Sequence, residues 1–154
     1  ISEEKVNTEF GMMKLIVYSD LLSKNTHLAF VKGEIEKDDE VVVRVHEPLS
    51  ILDFVSKETP HSWPPLKALK KISNEKNGVV IFLNYNESQN NITSKLNHEN
   101  ITLKKSTDLR SYGIGSQILV DIGVSKMKLL AAPRKMPSMI GYGLQVTEFI
   151  ENDI

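Results

Sequence analysis

Short runs of β-branched and aromatic residues recur along this chain, and their spacing limits the fold more than any other feature. Six runs are long enough for a strand: residues 15–18, 27–31, 41–45, 78–83, 126–132 and 143–150. Polar turns separate the first three, which predicts an antiparallel meander in the N-terminal third. Helical patterns separate the last three, which predicts a mixed or parallel sheet packed by helices. We therefore expect one compact α+β domain.

The predicted helices differ in how clearly the sequence marks their ends. The first begins at Pro64 and Pro65 and is closed by Asn77-Gly78, with Leu66, Leu69 and Ile72 on its apolar face. The second ends at Gly123, has an apolar face from Ile114 to Ile122, and is capped by Thr107 or Asp108. Residues 133–139 fit a turn or short helix. Residues 49–65 fit a loop or a short helix with breakers, and 84–105 a long loop or poorly formed helix.

Composition excludes several classes of function. Of 154 residues, 19 are basic and 20 acidic, for a formal net charge of −1, which argues against a nucleic-acid or polybasic membrane binder. No apolar run approaches the length that spans a bilayer. The chain contains no cysteine, so disulfides, thiol nucleophiles, cysteine-containing zinc sites and iron–sulfur clusters are excluded.

The first eight residues, ISEEKVNT, are charged and lack the apolar stretch of a signal peptide. We expect residues 1–8 to be the remnant of a linker and residues 9–154 to form the domain. The absence of a start methionine fits a piece of a longer chain, and the expected location is the cytoplasm.

Several segments in order carry a family resemblance, and together they cover nearly the whole chain. They are residues 8–11 (TEFG), 27–33 (HLAFVKG), 43–46 (VRVH), 108–119 (DLRSYGIGSQIL), 123–130 (GVSKMKLL), 133–135 (PRK) and 141–146 (GYGLQV). This set resembles GTP cyclohydrolase II, the first committed enzyme of riboflavin synthesis, and the stretch 108–119 is its specific part. In many bacteria that domain follows 3,4-dihydroxy-2-butanone 4-phosphate synthase in one chain, so the resemblance implies such a fusion partner.

The resemblance also implies a zinc ion held by three cysteines, which this chain cannot supply. Counted without gaps from Arg44, the three cysteine positions fall on Leu49, Pro60 and Ser62. Leu and Pro offer no lone pair, and Ser is a poor zinc ligand at neutral pH. A centre rebuilt from His46 and other histidines is a weaker alternative. Without zinc there is no activated water to open the imidazole ring of GTP, so we expect no metal cofactor. Magnesium would accompany a bound nucleotide.

This chain retains some of the residues that the family uses for chemistry and substrate binding. Asp108 matches its proposed general base and Arg110 its arginine nucleophile toward the α-phosphate, whereas Arg44, Glu87 and Lys135 match substrate-contacting positions. We expect all five to be vestigial. A structural interpretation is also open, in which Asp108 caps its helix, Arg110 lies in the first turn, and Arg44 and Lys135 are solvated charges.

Other substrate positions have changed. The segment that matches the family's QEGRNIG loop reads NESQNNI over residues 86–92, with Ser88 for the glycine and Gln89 for the arginine. Glu99 stands where the family has a catalytic tyrosine.

Three functions are therefore weighed. The first is a degenerate GTP cyclohydrolase II-like domain that lacks ring-opening activity and serves as a fused partner of the synthase. The second is an active enzyme that releases pyrophosphate from GTP through Arg110 without zinc. The third is a non-catalytic module that senses GTP or another nucleotide or promotes dimerisation. The expected partners are a nucleotide, the synthase domain and a second copy of the chain, with no nucleic acid and no membrane.

Overall fold

A computed structural model describes residues 2–21, 24–46, 63–84, 113–133 and 137–152. Its strands form one seven-stranded sheet in the order β1-β2-β3-β5-β4-β6-β7. The strands are β1 (Ser2–Thr8), β2 (Gly11–Ser19), β3 (Thr26–Lys32), β4 (Glu40–His46), β5 (Gly78–Phe82), β6 (Lys126–Leu130) and β7 (Gln145–Ile150). The helices are α1 (Pro65–Ser73), α2 (113–122) and α3 (Pro137–Gly141). This arrangement confirms the predicted α+β class.

The N-terminal strands form an antiparallel hairpin. The sequence assigned residues 1–8 to a linker, whereas in the structure Ser2–Thr8 pairs with β2 along its whole length. The tight turn is built around Gly11, whose φ of 106° suits glycine, and Thr8 accepts a hydrogen bond from the Phe10 amide through its side-chain oxygen. Because β1 is an exposed edge strand, both of its faces are polar, and the sequence lacks the alternation that marks a half-buried strand.

The predicted antiparallel meander is wrong for its third run, residues 41–45, which forms β4. β2 and β3 are antiparallel neighbours as expected, but β5 lies between β3 and β4. β4 pairs in parallel with both β5 and β6, and β6 pairs in parallel with β7. β4 and its parallel neighbour β5 are buried on both faces, which is why their sequences are nearly continuous apolar runs.

The sheet carries a separate apolar core on each face. On one face, Val43, Val45 and Ile81 pack with Ile118 and Leu119 of α2 and with Met139 of α3. The opposite core is formed by α1 with the other side of the same strands, through the residues Ala68, Leu69, Ile72, Val42, Val80 and Phe82. Helix α1 therefore covers the face opposite to that of α2 and α3.

The structure confirms some of the predicted helix ends and contradicts others. Pro64 precedes α1 as predicted, but the helix ends at Ser73, before Asn77-Gly78. Leu66 was expected on the apolar face and is instead half exposed, because Pro65, Ala68, Leu69 and Ile72 fill that face. Helix α2 ends before Gly123, whose φ is 104°, as predicted. Its proposed cap at Thr107 or Asp108 lies outside the described residues, as do residues 49–62 of the expected loop 49–65 and residues 85–105 of the expected loop 84–105.

Within the described parts of the chain, no helix combines the length and apolar character that crossing a bilayer requires.

Candidate functional site

The carboxyl ends of the parallel strands define the candidate site, which we call the carboxyl edge. β4 ends at His46 and β5 ends opposite it at Phe82, and the Leu83 amide donates a 3.0 Å hydrogen bond to the His46 carbonyl. After β4 the chain leads to α1 on one face of the sheet, and after β5 it leads to α2 on the other. In open sheets with parallel strands, such a divergence marks the place where ligands bind.

Helix α2 lies close above this edge. A Cβ atom placed on Gly115 would lie 3.1 Å from Cγ1 of Val45, which is tighter than an ordinary side-chain contact. Because glycine has no side chain, α2 can come close to the carboxyl end of β4 at this point. This close approach narrows the space on that face of the carboxyl edge.

Arg44 is the one predicted site residue that the structure describes. Its side chain lies on the α1 face of β4, and the residue is only 6% exposed. Its Nη1 atom donates a 3.0 Å hydrogen bond to the carbonyl oxygen of Leu130, the last residue of β6. A buried guanidinium needs such acceptors, because desolvating a charge without a partner is costly. The interpretation of Arg44 as a solvated charge is therefore wrong.

His46 is fully buried at the end of β4. Its ring packs against Phe82 in an edge-on arrangement, with 5.9 Å between ring centroids. The sequence predicted that His46 continues the strand, and the structure confirms this. His61 and His98 lie outside the described residues, so the structure does not test a site that would include them.

A second buried histidine lies at the carboxyl edge, and sequence reasoning missed its role. His27 is the second residue of β3, is 1% exposed, and accepts a 3.1 Å hydrogen bond at Nδ1 from the backbone amide of Asn84, just beyond β5. With Nδ1 as the acceptor, the neutral ring carries its proton on Nε2. The signal available in the sequence was the period of two that places His27 on the same face as Ala29 and Val31.

Tyr18 joins the end of β2 to the last turn of α2. Its hydroxyl donates a 2.7 Å hydrogen bond to the carboxylate of Asp121. Burial, reinforced by this hydrogen bond and by the negative charge of Asp121, raises the pKa of Tyr18 well above its ordinary value. The phenol therefore stays protonated at neutral pH and holds the helix in place, and it is not a general base.

The other four predicted site residues, Asp108, Arg110, Glu87 and Lys135, lie outside the described residues. Three of them belong to the connection that follows β5, and Lys135 belongs to the one that follows β6. Both connections leave the sheet at the carboxyl edge, and β4 ends there two residues after Arg44. The roles assigned to all five residues stay predictions.

The donor set does not fit the zinc centre that the family resemblance implies. The chain has no cysteine, so the thiolates of that centre are absent. Among the residues that the structure describes, no group of three His, Cys, Asp or Glu side chains comes close enough to hold a metal ion.

Comparisons with known proteins agree with this fold. A chain from Neisseria meningitidis serogroup A, called 3,4-dihydroxy-2-butanone 4-phosphate synthase, is 39% identical over 95% of this chain and 40% of its own length. A riboflavin biosynthesis protein RibBA from Chlorobium phaeovibrioides is 33% identical over 99% of this chain and 40% of its own. This chain thus spans about two fifths of the length of these relatives.

A solved structure shows the same architecture. It is RibBX, described as a two-domain 3,4-dihydroxy-2-butanone 4-phosphate synthase from A. baumannii, with a TM-score of 0.60 and 29% identity over 97% of this chain and 39% of that one. The family model for GTP cyclohydrolase II matches residues 1–151, nearly the whole sequence. On this match, supported by the motifs and the fold, the chain belongs to the GTP cyclohydrolase II family.

Proposed function

We propose that this chain is a riboflavin-biosynthesis domain of the GTP cyclohydrolase II type that has lost zinc-dependent opening of the GTP ring. One observation carries the proposal: the chain has no cysteine. Counted without gaps from Arg44, the three zinc positions that the family resemblance implies fall on Leu49, Pro60 and Ser62. Ring opening needs a water molecule whose pKa is lowered by a metal to about 7. Among the residues that the structure describes, no three potential ligands lie close enough together to hold such a metal.

The described residues at the carboxyl edge support this proposal. The guanidinium of Arg44 donates to the Leu130 carbonyl, and the His46 ring packs against Phe82. Both side chains thus contribute to the packing between β4, β5 and β6. Selection for a stable sheet is sufficient to retain them, whether or not a substrate is turned over.

We also propose that the domain acts as a fused partner of 3,4-dihydroxy-2-butanone 4-phosphate synthase and forms a homodimer. The length of the relatives supports the fusion: this chain covers about 40% of proteins named for the synthase or for riboflavin biosynthesis. The homodimer is proposed from the family resemblance. A domain without ring-opening chemistry is retained when it stabilises or regulates its neighbour.

Turnover of GTP tests the loss of activity. The purified protein is incubated with GTP, magnesium and zinc, and formate and pyrophosphate are measured separately, with a relative that has the three cysteines as the positive control. We expect neither product and no bound zinc. Formate release or stoichiometric zinc would overturn the proposal. Pyrophosphate alone would favour the alternative in which Arg110 acts without ring opening, and an Arg110→Ala variant would then lose it.

The role as a fused partner needs a separate measurement. Synthase activity and oligomeric state are compared in the two-domain protein with and without residues 9–154. We expect the shortened protein to lose activity, dimerisation or both. If neither changes, the domain is not a functional partner of the synthase.

A further inference from the structure

The sole tryptophan of the chain, Trp63, lies where the connection from β4 enters α1. It is only 5% exposed and belongs to the apolar core that α1 forms with the sheet. Its Nε1 atom donates a 2.9 Å hydrogen bond to the carbonyl oxygen of Ile150, the last residue of β7. The same oxygen accepts a 3.1 Å hydrogen bond from the amide of Ala131, directly after β6. Trp63 thus ties the start of α1 to the place where β6 and β7 end.

The start of α1 has little stabilisation of its own. Pro64 precedes the helix and provides no side-chain cap, and the first turn carries no acidic residue to interact with the helix dipole. Trp63 and Ala68, the fourth residue of the helix, share one apolar core, and a pair at these positions fixes the angle at which a chain enters a helix. The Lys67 ammonium lies over the Trp63 ring, 5.8 Å from its centroid. The position of α1 therefore depends on Trp63.

Arg44 makes a matching contact from the other end of the same connection. Its Nη1 atom donates a 3.0 Å hydrogen bond to the carbonyl oxygen of Leu130, and Leu130 and Ile150 are paired residues of β6 and β7. Arg44 lies just before the connection formed by residues 47–62, and Trp63 lies directly after it. Two buried donors that flank one connection are thus bound to one pair of residues. We call Arg44 and Trp63 the clamp.

The zinc ion that the family resemblance implies would join the same two parts of the chain. Its positions, counted without gaps from Arg44, fall on Leu49 near the start of the connection and on Pro60 and Ser62 near its end. Because each zinc–sulfur bond is only about 2.3 Å long, a metal on these positions would bring both ends of the connection together. This chain has no thiolate to do so.

From this correspondence we propose that the clamp takes the place of the zinc ion and holds the two ends of the connection between β4 and α1 together without a metal. The backbone carbonyls of Leu130 and Ile150 serve as the common anchor, and the guanidinium of Arg44 and the indole of Trp63 serve as the donors. The inference rests on the loss of the zinc centre stated under the proposed function. It explains how the fold at the carboxyl edge persists after that loss.

Cross-linking of the two ends of the connection tests the proposal. The chain has no cysteine, so a Leu49→Cys/Ser62→Cys protein carries one defined pair, and its rate of disulfide formation with oxidised glutathione is measured in the presence of a chelator. The rate is compared after adding Trp63→Phe, which keeps a ring but removes the donor, or Arg44→Met. The matched control is Tyr18→Phe, which loses one hydrogen bond on the opposite face of the sheet.

Circular dichroism checks that each variant is folded, and the two clamp variants remove different donors, so either one suffices as a test. We expect Trp63→Phe and Arg44→Met each to slow disulfide formation at least about 10-fold, as the loss of one buried hydrogen bond predicts. We expect Tyr18→Phe to leave the rate unchanged.

The outcomes separate the clamp from the loss of zinc. Equal rates in all four proteins would overturn the clamp and leave the loss of zinc standing. An equally slow rate in Tyr18→Phe would show that general stability sets the rate, and the clamp would again be wrong. Metal analysis of the wild-type protein is the independent measurement: stoichiometric zinc would overturn both the loss of the zinc centre and its replacement by the clamp.

Discussion

Replacing Tyr18 with Phe tests whether the contact between β2 and α2 stabilises the fold as its geometry indicates. The variant keeps the buried ring and removes only the hydroxyl, which donates a 2.7 Å hydrogen bond to Asp121. Hydrogen bonds to charged groups contribute about 1.5–3 kcal/mol. The Asp121 carboxylate belongs to an exposed residue and regains water in the variant, so we expect the free energy of unfolding at neutral pH to fall by only about 1–2 kcal/mol.

The same substitution has a pH dependence with a defined sign. Burial and the hydrogen bond to Asp121 raise the pKa of Tyr18 in the folded state above the value of about 10 that tyrosine has in unfolded chains. Above that pH the unfolded chain loses the phenolic proton while the folded protein keeps it. The stabilisation is therefore complete below pH about 10 and falls above it, by at most about 1.4 kcal/mol per pH unit for one proton.

Urea unfolding of the wild type and of Tyr18→Phe at pH about 8 and about 11 measures both effects. Since Phe cannot ionise, we expect the difference between the two proteins to shrink at the higher pH. Tyr142→Phe is the matched control: its hydroxyl accepts a hydrogen bond from Gln117 at an exposed site, and its loss should change stability by less than about 0.5 kcal/mol. A difference for Tyr18→Phe that is equal at both pH values would refute the reasoning.

Three further predictions follow from particular contacts. Gly33→Ala should cost more than about 2 kcal/mol in unfolding free energy, because φ is 72° and a methyl group would overlap the Lys76 carbonyl oxygen. Gly143→Ala, with φ of 78° and open space, isolates the backbone cost of about 1 kcal/mol, and equal losses at the two sites would exclude the overlap. His27→Phe fills the volume of the ring but leaves the Asn84 amide without its acceptor, so urea unfolding should show a loss of about 1–3 kcal/mol, whereas wild-type stability would contradict that role. Added zinc should leave the midpoint of thermal unfolding unchanged, because a metal stabilises a fold only by binding it; a rise in the midpoint would show that a zinc site exists.

Local patterns predicted most of the elements but not all of their neighbours. The runs that became β2, β3, β4, β5, β6 and β7 are apolar or alternating enough to be recognised within the chain itself. β1 was missed because both faces of Ser2–Thr8 are polar, as an exposed edge strand allows. The insertion of β5 between β3 and β4 was also missed, since strand partners depend on the face that each helix covers.

In the candidate site, too, the sequence predicted some residues, whereas the role of others depends on the tertiary structure. The motifs of the sequence predicted Arg44 as a site residue, but its burial and its hydrogen bond to Leu130, 86 residues away, depend on the pairing of β4 with β6. His27 begins the HLAFVKG segment but was assigned no role from the sequence, and it became part of the carboxyl edge only because β3 lies next to β5. Residues of this kind are recognised once the sheet order is known.

The sequence by itself determined the strand and helix periods, the family, and the absence of thiolate ligands, because each is written in residue identities and their local spacing. Only the tertiary structure decided the order of the strands, the burial of Arg44 and His46, and the contact of Tyr18 with Asp121, 103 residues apart. The physical reason is that these features come from burying two apolar faces of one sheet at once. That burial depends on distant residues together, and no local stretch of the chain encodes it.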